Sequence, residues 1–227
     1  LAGCAGMAGG PSIGRVVVVG GGYGGATAGR YLKLWGGKVG VTLVERNVAP
    51  RAGDERASVG LPGISNVHSH AFQRGMAGLT EHRGPNADSF WTWREMMYRA
   101  AALLTPEHIY DAWRMAFLEM ALSGITAVGE FHYIHNQPDG TPYDDTSELA
   151  LQVVRAAQDV GLRIALLRVA YVRSGYQTEP NARQIRFIEK DPSVFLQNFA
   201  KLRRDLSTNK DDVWTGIAPH SVRAVPL

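Results

Sequence analysis

The sequence predicts an α/β protein built on a parallel sheet, and two observations support this fold class. Apolar strand-like runs alternate with helical stretches from about residue 60 onward, and polar or aromatic residues gather where the strands end. In parallel α/β proteins the ligand site lies at the carboxyl edge of the sheet, so we expect the site there. Four such strands follow in this part of the chain, whereas a closed (β/α)8 barrel has eight and typically about 250 residues.

Composition excludes several classes of partner. The 24 Lys and Arg residues against 21 Asp and Glu give a net charge of +3, and no basic run is present. The sequence therefore predicts neither a nucleic-acid interface nor a membrane surface site. The single Cys4 excludes an internal disulfide framework. No apolar run reaches the roughly 18 residues of a membrane span, and we expect a cytoplasmic protein.

Residues 1–13 are interpreted as a flexible leader rich in Ala and Gly. Leu1 to Cys4 weakly resembles the lipobox that ends a bacterial lipoprotein signal, and the small residues up to Gly10 resemble the tail of a signal peptide. The charged and apolar regions that precede such a tail are not seen. Because the first residue is not Met, the chain is expected to be a fragment, a processed product or an incompletely recorded sequence.

Residues 14–46 predict a Rossmann-like βαβ segment. A β-branched strand runs into a G-x-G-x-x-G turn, a helix and a second strand that ends at an acid. The elements are the strands Arg15–Val19 and Val39–Val44, the helix Ala26–Trp35, the glycines Gly20, Gly22 and Gly25, and Glu45. Such glycines allow a pyrophosphate to approach the helix N-terminus, and Glu45 could accept from a ribose hydroxyl. The alternative is a glycine-rich linker between unrelated strands.

This segment resembles the FAD-binding start of flavoprotein pyridine nucleotide-disulfide oxidoreductases, especially the flavocytochrome c sulfide dehydrogenase type. The resemblance implies FAD as a cofactor. A full FAD domain needs further strands and a second segment that returns to the flavin, and neither follows, so the short βαβ segment is not expected to hold FAD alone. Residues 47–60 carry Pro, Gly and mixed charges without periodicity and are interpreted as a linker.

Residues 61–227 predict the second domain, in which strands and helices alternate. A short buried strand from Leu61 ends in His68 and His70. The helices that follow are predicted at 90–98, 106–123, 147–160 and 192–206, and the strands at 125–133, 163–172 and 213–218. Thr105 and Pro106 provide an N-cap and N1 pair, and Gly161 provides a helix stop.

His68 and His70 are the most chemically informative pair in the chain. Successive side chains of a strand point to opposite faces, so an i, i+2 pair points to the same side. Two imidazoles on one side of a strand end can bind one metal ion from adjacent positions, and zinc suits imidazole ligands. The alternative is two polar residues at a strand end without a metal.

Four motifs in order resemble the amidohydrolase superfamily and, within it, the formimidoylglutamate deiminases. They are His68–Arg74, Asp88–Arg94, Glu130–Tyr133 and Ala218–Ala224. The resemblance covers about residues 61–227 and implies a partial (β/α)8 TIM-type amidohydrolase barrel of about four strands. It also implies Zn²⁺ or another divalent metal, and a small dicarboxylate amidine as substrate. The implied reaction converts N-formimidoyl-L-glutamate and water to N-formyl-L-glutamate and ammonia.

The resemblance assigns roles to seven residues. It makes His68 and His70 metal ligands, and it places five residues in the substrate pocket: Gln73, Arg94, Tyr133, His220 and Arg223. Guanidinium groups suit this substrate because Arg binds a carboxylate through two parallel donors. Other interpretations remain open for several residues. Arg94 and Arg223 could form surface ion pairs, Trp91 and Trp93 could be pocket wall or core, and Glu130 could orient a metal-bound histidine. His132 and His135 are interpreted as solvated loop residues.

The resemblance also implies features that this sequence does not show. A third metal-binding His, a general-base Glu, a further His and an Asp ligand would all lie beyond Leu227, so no catalytic residue is assigned. The small β-sandwich that precedes the family's barrel is replaced by the βαβ segment. We expect the chain to be inactive alone and to self-associate through open strand edges. The alternatives are an FAD- or NAD-dependent oxidoreductase fragment and a non-catalytic fusion fragment.

Overall fold

The computed structural model describes residues 14–19, 39–44, 58–61, 63–80, 90–207 and 212–226. The chain divides into two compact units, each with its own internal contacts. One comprises Leu1–Ile64 with Leu118–Thr126, and the other comprises Ser65–Phe117 with Ala127–Leu227. In the part of the chain that the structure describes, no helix is both long and apolar enough to cross a membrane.

A three-stranded parallel sheet forms from the N-terminal segment. Its strands are β1 (Gly14–Val19), β2 (Val39–Val44) and β3 (Ser58–Leu61), in the order β2-β1-β3. The two strands predicted for the βαβ segment are therefore present and parallel, with Val19 opposite Val44. The predicted leader, the helix, the glycines Gly20, Gly22 and Gly25, and Glu45 lie outside the described residues, so the proposed FAD contacts stay a prediction.

Strand β3 corrects two sequence interpretations. Residues 58–60 were assigned to the linker, yet Ser58–Leu61 pairs in parallel with β1. Charged residues precede this run, so the sequence pattern does not indicate a strand here. The strand is stabilised by its pairing with the apolar strand β1. The strand predicted to run from Leu61 to the histidines is also divided, since β3 ends at Leu61 and the next strand begins at Ile64. Pro62, which has no backbone N–H to donate, stands between the two.

The second sheet has four strands alternating with helices, as the sequence predicts. It consists of β4 (Ile64–Ser69), β5 (Ile125–His132), β6 (Arg163–Ala170) and β7 (Val213–Pro219), in the order β4-β5-β6-β7. The β5–β6 and β6–β7 pairs are parallel. The helices are α1 (Phe90–Leu103), α2 (Pro106–Leu122), α3 (Glu148–Val160) and α4 (Pro192–Asp205). Short 3-10 turns span Ala71–Met76 and Ile185–Phe187.

The helix ends follow from local chemistry. Thr105 Oγ1 accepts a hydrogen bond from His108 N at 3.2 Å, which caps α2 at the predicted position. Asp191 caps α4 by accepting from Ser193 N at 2.7 Å, with Pro192 at the first helical position. Gly161 ends α3 in the left-handed region with φ 84°, a conformation that glycine adopts without a Cβ clash. These boundaries agree with the sequence predictions to within about two residues.

Arg186 closes the C-terminal end of α1 from a distant loop. Its side chain is buried, and it donates through Nη1 to Ala101 O, through Nη2 to Leu104 O at 2.6 Å, and through Nε to Asn136 O at 3.0 Å. Burial lowers the pKa of this guanidinium, opposed by the Tyr143 phenol. Three carbonyl acceptors and the negative end of the helix dipole stabilise the buried cation.

Strand β4 is more exposed than its apolar sequence predicts. Val67 is 84% exposed, His68 is exposed, and only Ser69 of this strand is buried. The reason is its place at one edge of the four-stranded sheet, where it has a neighbour on one side among the described strands. The contact with that neighbour is close. A Cβ added to Gly129 of β5 would lie 2.8 Å from Val67 O, so only glycine fits there without a shift.

Candidate active site

The first residues after the four strands of the second sheet line one cavity. His70 follows β4, Tyr133 follows β5, Tyr171 follows β6 and His220 follows β7. Because the carboxyl ends of parallel strands meet at one edge, four positions far apart in sequence become neighbours. The Tyr171 and His220 rings lie 4.5 Å apart between centroids, and the Tyr133 and His220 rings lie 5.5 Å apart. The cavity therefore lies at the carboxyl edge of the sheet, where the sequence predicts a site.

The cavity has a volume of about 300 Å³ and contains every side chain assigned to the substrate pocket from the sequence. These are Gln73, Arg94, Tyr133, His220 and Arg223, and they stand beside His70. Six further residues complete the lining: Phe90, Trp93, Met97, Tyr98, Tyr171 and Phe187. The wall is therefore largely aromatic, with cationic and hydrogen-bonding groups directed into it, as is usual for a small-molecule site.

The two histidines at the end of β4, His68 within the strand and His70 just after it, converge at their tips. The Nε2 atoms of His68 and His70 lie 2.9 Å apart. Two zinc–nitrogen bonds of about 2.0–2.1 Å at a tetrahedral angle would place the two nitrogens roughly 3.3–3.4 Å apart. The observed separation is about half an ångström shorter than that value, a difference that a small rotation of the exposed His68 ring would remove. The pair therefore fits two adjacent positions of one metal ion.

His70 is held in the tautomer that a metal ligand requires. Its Nδ1 lies 3.3 Å from Phe131 O, and a carbonyl only accepts, so Nδ1 carries the hydrogen. Nε2, which faces His68, is left with its lone pair. The pKa of His70 is lowered by burial and by His68, against the opposing effect of the Phe131 bond, and this favours the neutral ring. Within the described residues, no group of three or more His, Cys, Asp or Glu side chains could complete a metal site.

Two arginines bring positive charge to the cavity without a described counter-ion. Arg94 and Arg223 are both half-buried, and the Nε of each is buried with no hydrogen-bond partner among the described residues. The Arg94 guanidinium carbon lies 4.4 Å from the centroid of the Trp91 ring, which supports it through a cation–π contact. Guanidinium groups with a buried, unpartnered Nε favour an anionic ligand, so the cavity is suited to a ligand that carries carboxylates.

The other polar groups of the cavity are neutral near pH 7. Burial, with smaller effects from Arg223 and His70, lowers the pKa of His220 to about 4. Burial is also the main reason that the pKa of Tyr133 lies well above its usual range, although a hydrogen bond with Gln73 acts against it. A neutral imidazole, a phenol and an amide can each donate to a ligand oxygen without adding charge. Net charge in the pocket therefore comes from the arginines.

Glu130 lies on the opposite face of β5 and does not orient a histidine. Its Oε1 accepts from Ala71 N at 3.1 Å and from Trp113 Nε1 at 2.9 Å, so it fixes the backbone just after His70. The partner of the His70 ring is instead Phe131 O. Burial raises the pKa of Glu130 to about 7, although hydrogen bonds from Ser69, Ala71 and Trp113 lower it.

His132 and His135 are buried, which contradicts their interpretation as solvated loop residues. His132 ends β5 on the same face as Glu130, and burial, with Arg168 and Arg186 nearby, lowers its pKa to about 3. His135 donates from Nε2 to Val169 O at 2.9 Å and accepts at Nδ1 from Arg168 Nη1 at 2.7 Å. Burial favours the neutral form of both rings. Strand alternation turns His132 away from the cavity, and the contacts with Arg168 and Val169 hold His135 in the interior.

The sequence of residues 59–226 matches the amidohydrolase family. The match covers more than half of the chain.

This chain belongs to the amidohydrolase family.

Its similarity to known members is partial in length. It is 44% identical over 165 residues to the formimidoylglutamate deiminase of Pseudomonas aeruginosa strain PAO1, across 73% of this chain and 36% of that protein. The crystal structure of an amidohydrolase from Brucella melitensis is 46% identical, with a TM-score of 0.70, and the match covers 79% of this chain and 40% of that one. The amidohydrolase chain described here thus spans about two fifths of the length of these relatives.

A more distant structure shares the fold. The E241Q mutant of atrazine chlorohydrolase TrzN from Arthrobacter aurescens TC1, complexed with zinc and atraton, is 20% identical with a TM-score of 0.57. That match covers 74% of this chain and 38% of that one. Together with the four-stranded α/β sheet, these neighbours confirm the predicted fold class of a partial amidohydrolase barrel.

Two lining residues of this amidohydrolase site carried signals that sequence reasoning did not use. Tyr98 stands four residues after Arg94 on α1, which places both on one face of the helix. Tyr171 follows β6 just as Tyr133 follows β5. The rule that site residues follow parallel strands would have found it. Phe187 lies in a 3-10 turn of an irregular loop, and no sequence pattern indicates its place in the wall.

Proposed function

We propose that this chain supplies the histidine pair and the carboxylate-binding pocket of a formimidoylglutamate deiminase. The reaction is hydrolysis of N-formimidoyl-L-glutamate. Water adds its oxygen to the formimino carbon, the bond from that carbon to the terminal nitrogen breaks, and ammonia leaves with N-formyl-L-glutamate. One observation carries the proposal: the cavity beside His70 contains two arginines with no described counter-ion. The 44% identity to the Pseudomonas deiminase supports the same reaction.

The pocket chemistry fits a substrate with two carboxylates and one neutral or cationic amidine. Arg94 and Arg223 offer guanidinium forks for the carboxylates. Tyr133 and Gln73 add neutral donors, and His220, neutral near pH 7, can donate to a carboxylate or to the formimino group. The aromatic wall lowers the local polarity around these contacts, and this strengthens each of them.

His68 and His70 would hold a divalent metal, and zinc suits their two imidazole nitrogens. Such a metal supplies hydroxide near neutral pH, since it lowers the pKa of bound water to about 7. The backbone carbonyl of Phe131 keeps the His70 lone pair directed toward His68, so the ligand pair is oriented before any metal binds.

A binding experiment tests the pocket without requiring turnover. Glutarate carries two carboxylates and no amidine, and its binding is measured by isothermal titration calorimetry. We expect Arg94→Gln to weaken glutarate binding by about 10- to 100-fold, because it removes a charge-assisted hydrogen-bond donor worth roughly 1.5–3 kcal/mol. Arg99→Gln, at an exposed arginine on the same helix, is the matched control and should leave binding unchanged. Equal affinities for the two variants would contradict the pocket assignment.

A metal titration tests the histidine pair. We expect the chain to bind Zn²⁺ and the His70→Gln variant to lose at least tenfold in affinity. His108→Gln changes an exposed histidine at the start of α2 and should bind zinc as the unchanged chain does. Zinc affinity that is independent of His70 would reject the proposed ligand pair.

A further inference from the structure

A buried amide stands directly behind the cavity wall. Gln184 is 1% exposed and precedes the 3-10 turn Ile185–Phe187. Its Nε2 lies 2.7 Å from the phenol oxygen of Tyr98 and 2.6 Å from that of Tyr171. Both tyrosines line the cavity, whereas Gln184 does not. One amide group thus contacts two wall residues that come from α1 and from the end of β6.

The orientation of the Gln184 amide is fixed by a chain of hydrogen bonds. Arg183 N is a backbone donor and lies 3.1 Å from Asn181 Oδ1, which must accept. Asn181 Nδ2 then donates to Gln184 Oε1 at 2.8 Å. Gln184 Oε1 is therefore on the Asn181 side, and Nε2 faces the two phenols. The direction of the whole network follows from one backbone N–H.

The number of protons then determines what the phenols offer to a ligand. Nε2 has two hydrogens, and its two nearest acceptors are the phenol oxygens, with Ser174 O more distant at 3.2 Å. Each phenol also carries a hydroxyl hydrogen of its own, and the two phenols are close enough to influence each other. Even where one phenol donates to the other, one hydroxyl hydrogen of the pair remains. The pair therefore has a donor available and few free lone pairs.

This donor stands in a cationic part of the cavity. The charges of Arg94 and Arg223 both act on Tyr98, and both side chains line the same space. A ligand oxygen at this wall meets two guanidinium groups and a phenol O–H, all of which donate. A ligand N–H would meet donors only. The wall is therefore matched to a group that accepts hydrogen bonds and carries negative charge.

We propose that Gln184 is a positioning residue that makes the Tyr98–Tyr171 pair a hydrogen-bond donor and so selects a carboxylate over a neutral amide at this wall. The inference rests on the proposed function, since it concerns the carboxylate pocket of the same site. Gln184 itself does not line the cavity, and it acts through the two phenols.

Two substitutions test this role with two ligands, glutarate and its neutral diamide, glutaramide. Gln184→Glu keeps the shape but turns the donor into an acceptor, so both phenols would donate to it instead. Gln184→Met removes the donor without adding charge. We expect both variants to lower the preference for glutarate over glutaramide by at least fivefold. Gln197→Glu, at an exposed position of α4, is the matched control and should keep the preference of the unchanged chain.

The outcomes separate the possible explanations. If Gln184 has a purely structural role, both variants should bind glutarate and glutaramide more weakly by the same factor, and the preference should stay unchanged. That result would overturn the inference but not the proposed pocket. Simple charge repulsion would lower the preference in Gln184→Glu alone, and this would also overturn it. If the unchanged chain fails to bind glutarate, the proposed function and the inference both fail. Thermal unfolding checks each variant, and Gln184→Met provides the test if Gln184→Glu does not fold.

Discussion

The two faces of β5 carry similar residue types in different surroundings, one beside the cavity and one in the interior. One face directs Phe131 toward the His68 and His70 rings, at centroid distances of 5.1 and 5.3 Å. The other face buries Glu130 and His132 against Trp113 of α2. Residues 130–133 look like a single acidic, histidine-bearing motif in the sequence. Strand alternation divides it into a ligand-facing part and an interior part.

The interior face and the cavity differ in how their ionisable side chains are stabilised. On the interior face, burial favours the neutral forms of Glu130 and His132, because it raises the pKa of the acid and lowers the pKa of the histidine. In the cavity, Arg94 and Arg223 keep donors without described partners. Interior polar groups should therefore determine stability, and cavity groups should determine ligand affinity. Four substitutions test that division.

Trp113→Ala should have the largest effect, and on stability alone. Trp113 is 1% exposed and donates to Glu130, so its removal leaves a cavity and a lost hydrogen bond. We expect a loss of about 3–5 kcal/mol in the free energy of unfolding, measured by urea denaturation. Trp214→Ala, at a tryptophan that is 47% exposed, should lose far less. Similar losses of stability for Trp113→Ala and Trp214→Ala would contradict the claim that the interior face determines stability.

Glu130→Gln should change how the free energy of unfolding depends on pH, because it removes the buried acid. The folded pKa of Glu130 is about 7 against 4.5 for the free side chain, so its contribution is complete below pH 4.5 and is lost as pH rises to 7. The variant has no such loss. Its stability relative to the unchanged chain should therefore increase by roughly 3 kcal/mol between pH 4.5 and pH 8. Urea denaturation at both pH values measures this change, and Glu179→Gln, at an exposed glutamate, should show none.

Gly129→Ala tests the contact between β4 and β5. A Cβ at this position would lie 2.8 Å from Val67 O, so the backbone of β4 must move. We expect a loss of about 1–3 kcal/mol in the free energy of unfolding. We also expect weaker zinc binding, since Val67 immediately precedes His68. Gly75→Ala has open space around its Cβ and serves as the control. A variant as stable as the control would show that β4 adjusts freely.

Tyr133→Phe should have the smallest effect on stability and should act on the cavity side. Only the hydroxyl is removed, and the ring contacts with His70 and His220 remain. We expect a change in stability below about 1 kcal/mol and a loss in glutarate affinity of roughly five- to tenfold, the value of one hydrogen bond of about 1–1.5 kcal/mol. Calorimetry and urea denaturation measure the two quantities. A loss of stability without a loss of glutarate affinity would show that Tyr133 acts as an interior residue, like Glu130 and His132.

The sequence predicts the second sheet well because its signals are local. The cap at Thr105, the stop at Gly161 and the apolar runs of β5, β6 and β7 each depend on a few neighbouring residues. The five substrate-pocket residues were also assigned from sequence, and the structure brings them into one cavity, although their roles in binding stay a prediction.

What the sequence did not predict depends on contacts with distant parts of the chain. β3 is a strand because β1 pairs with it, and the sequence of its four residues does not predict that pairing. β4 is exposed because of its place at the edge of the described sheet rather than its composition. The burial of His135 depends on Arg168 and Val169, more than thirty residues away.

The loop between β6 and α4 has a consequence for how the protein tolerates changes in length. Arg186 closes the end of α1, while Gln184, two residues earlier, contacts Tyr98 on the same helix. Both contacts depend on the spacing between Gln184 and Arg186 at the buried end of the loop. Insertions or deletions between these two residues should therefore be tolerated as poorly as in a core strand, although loops are typically variable in length.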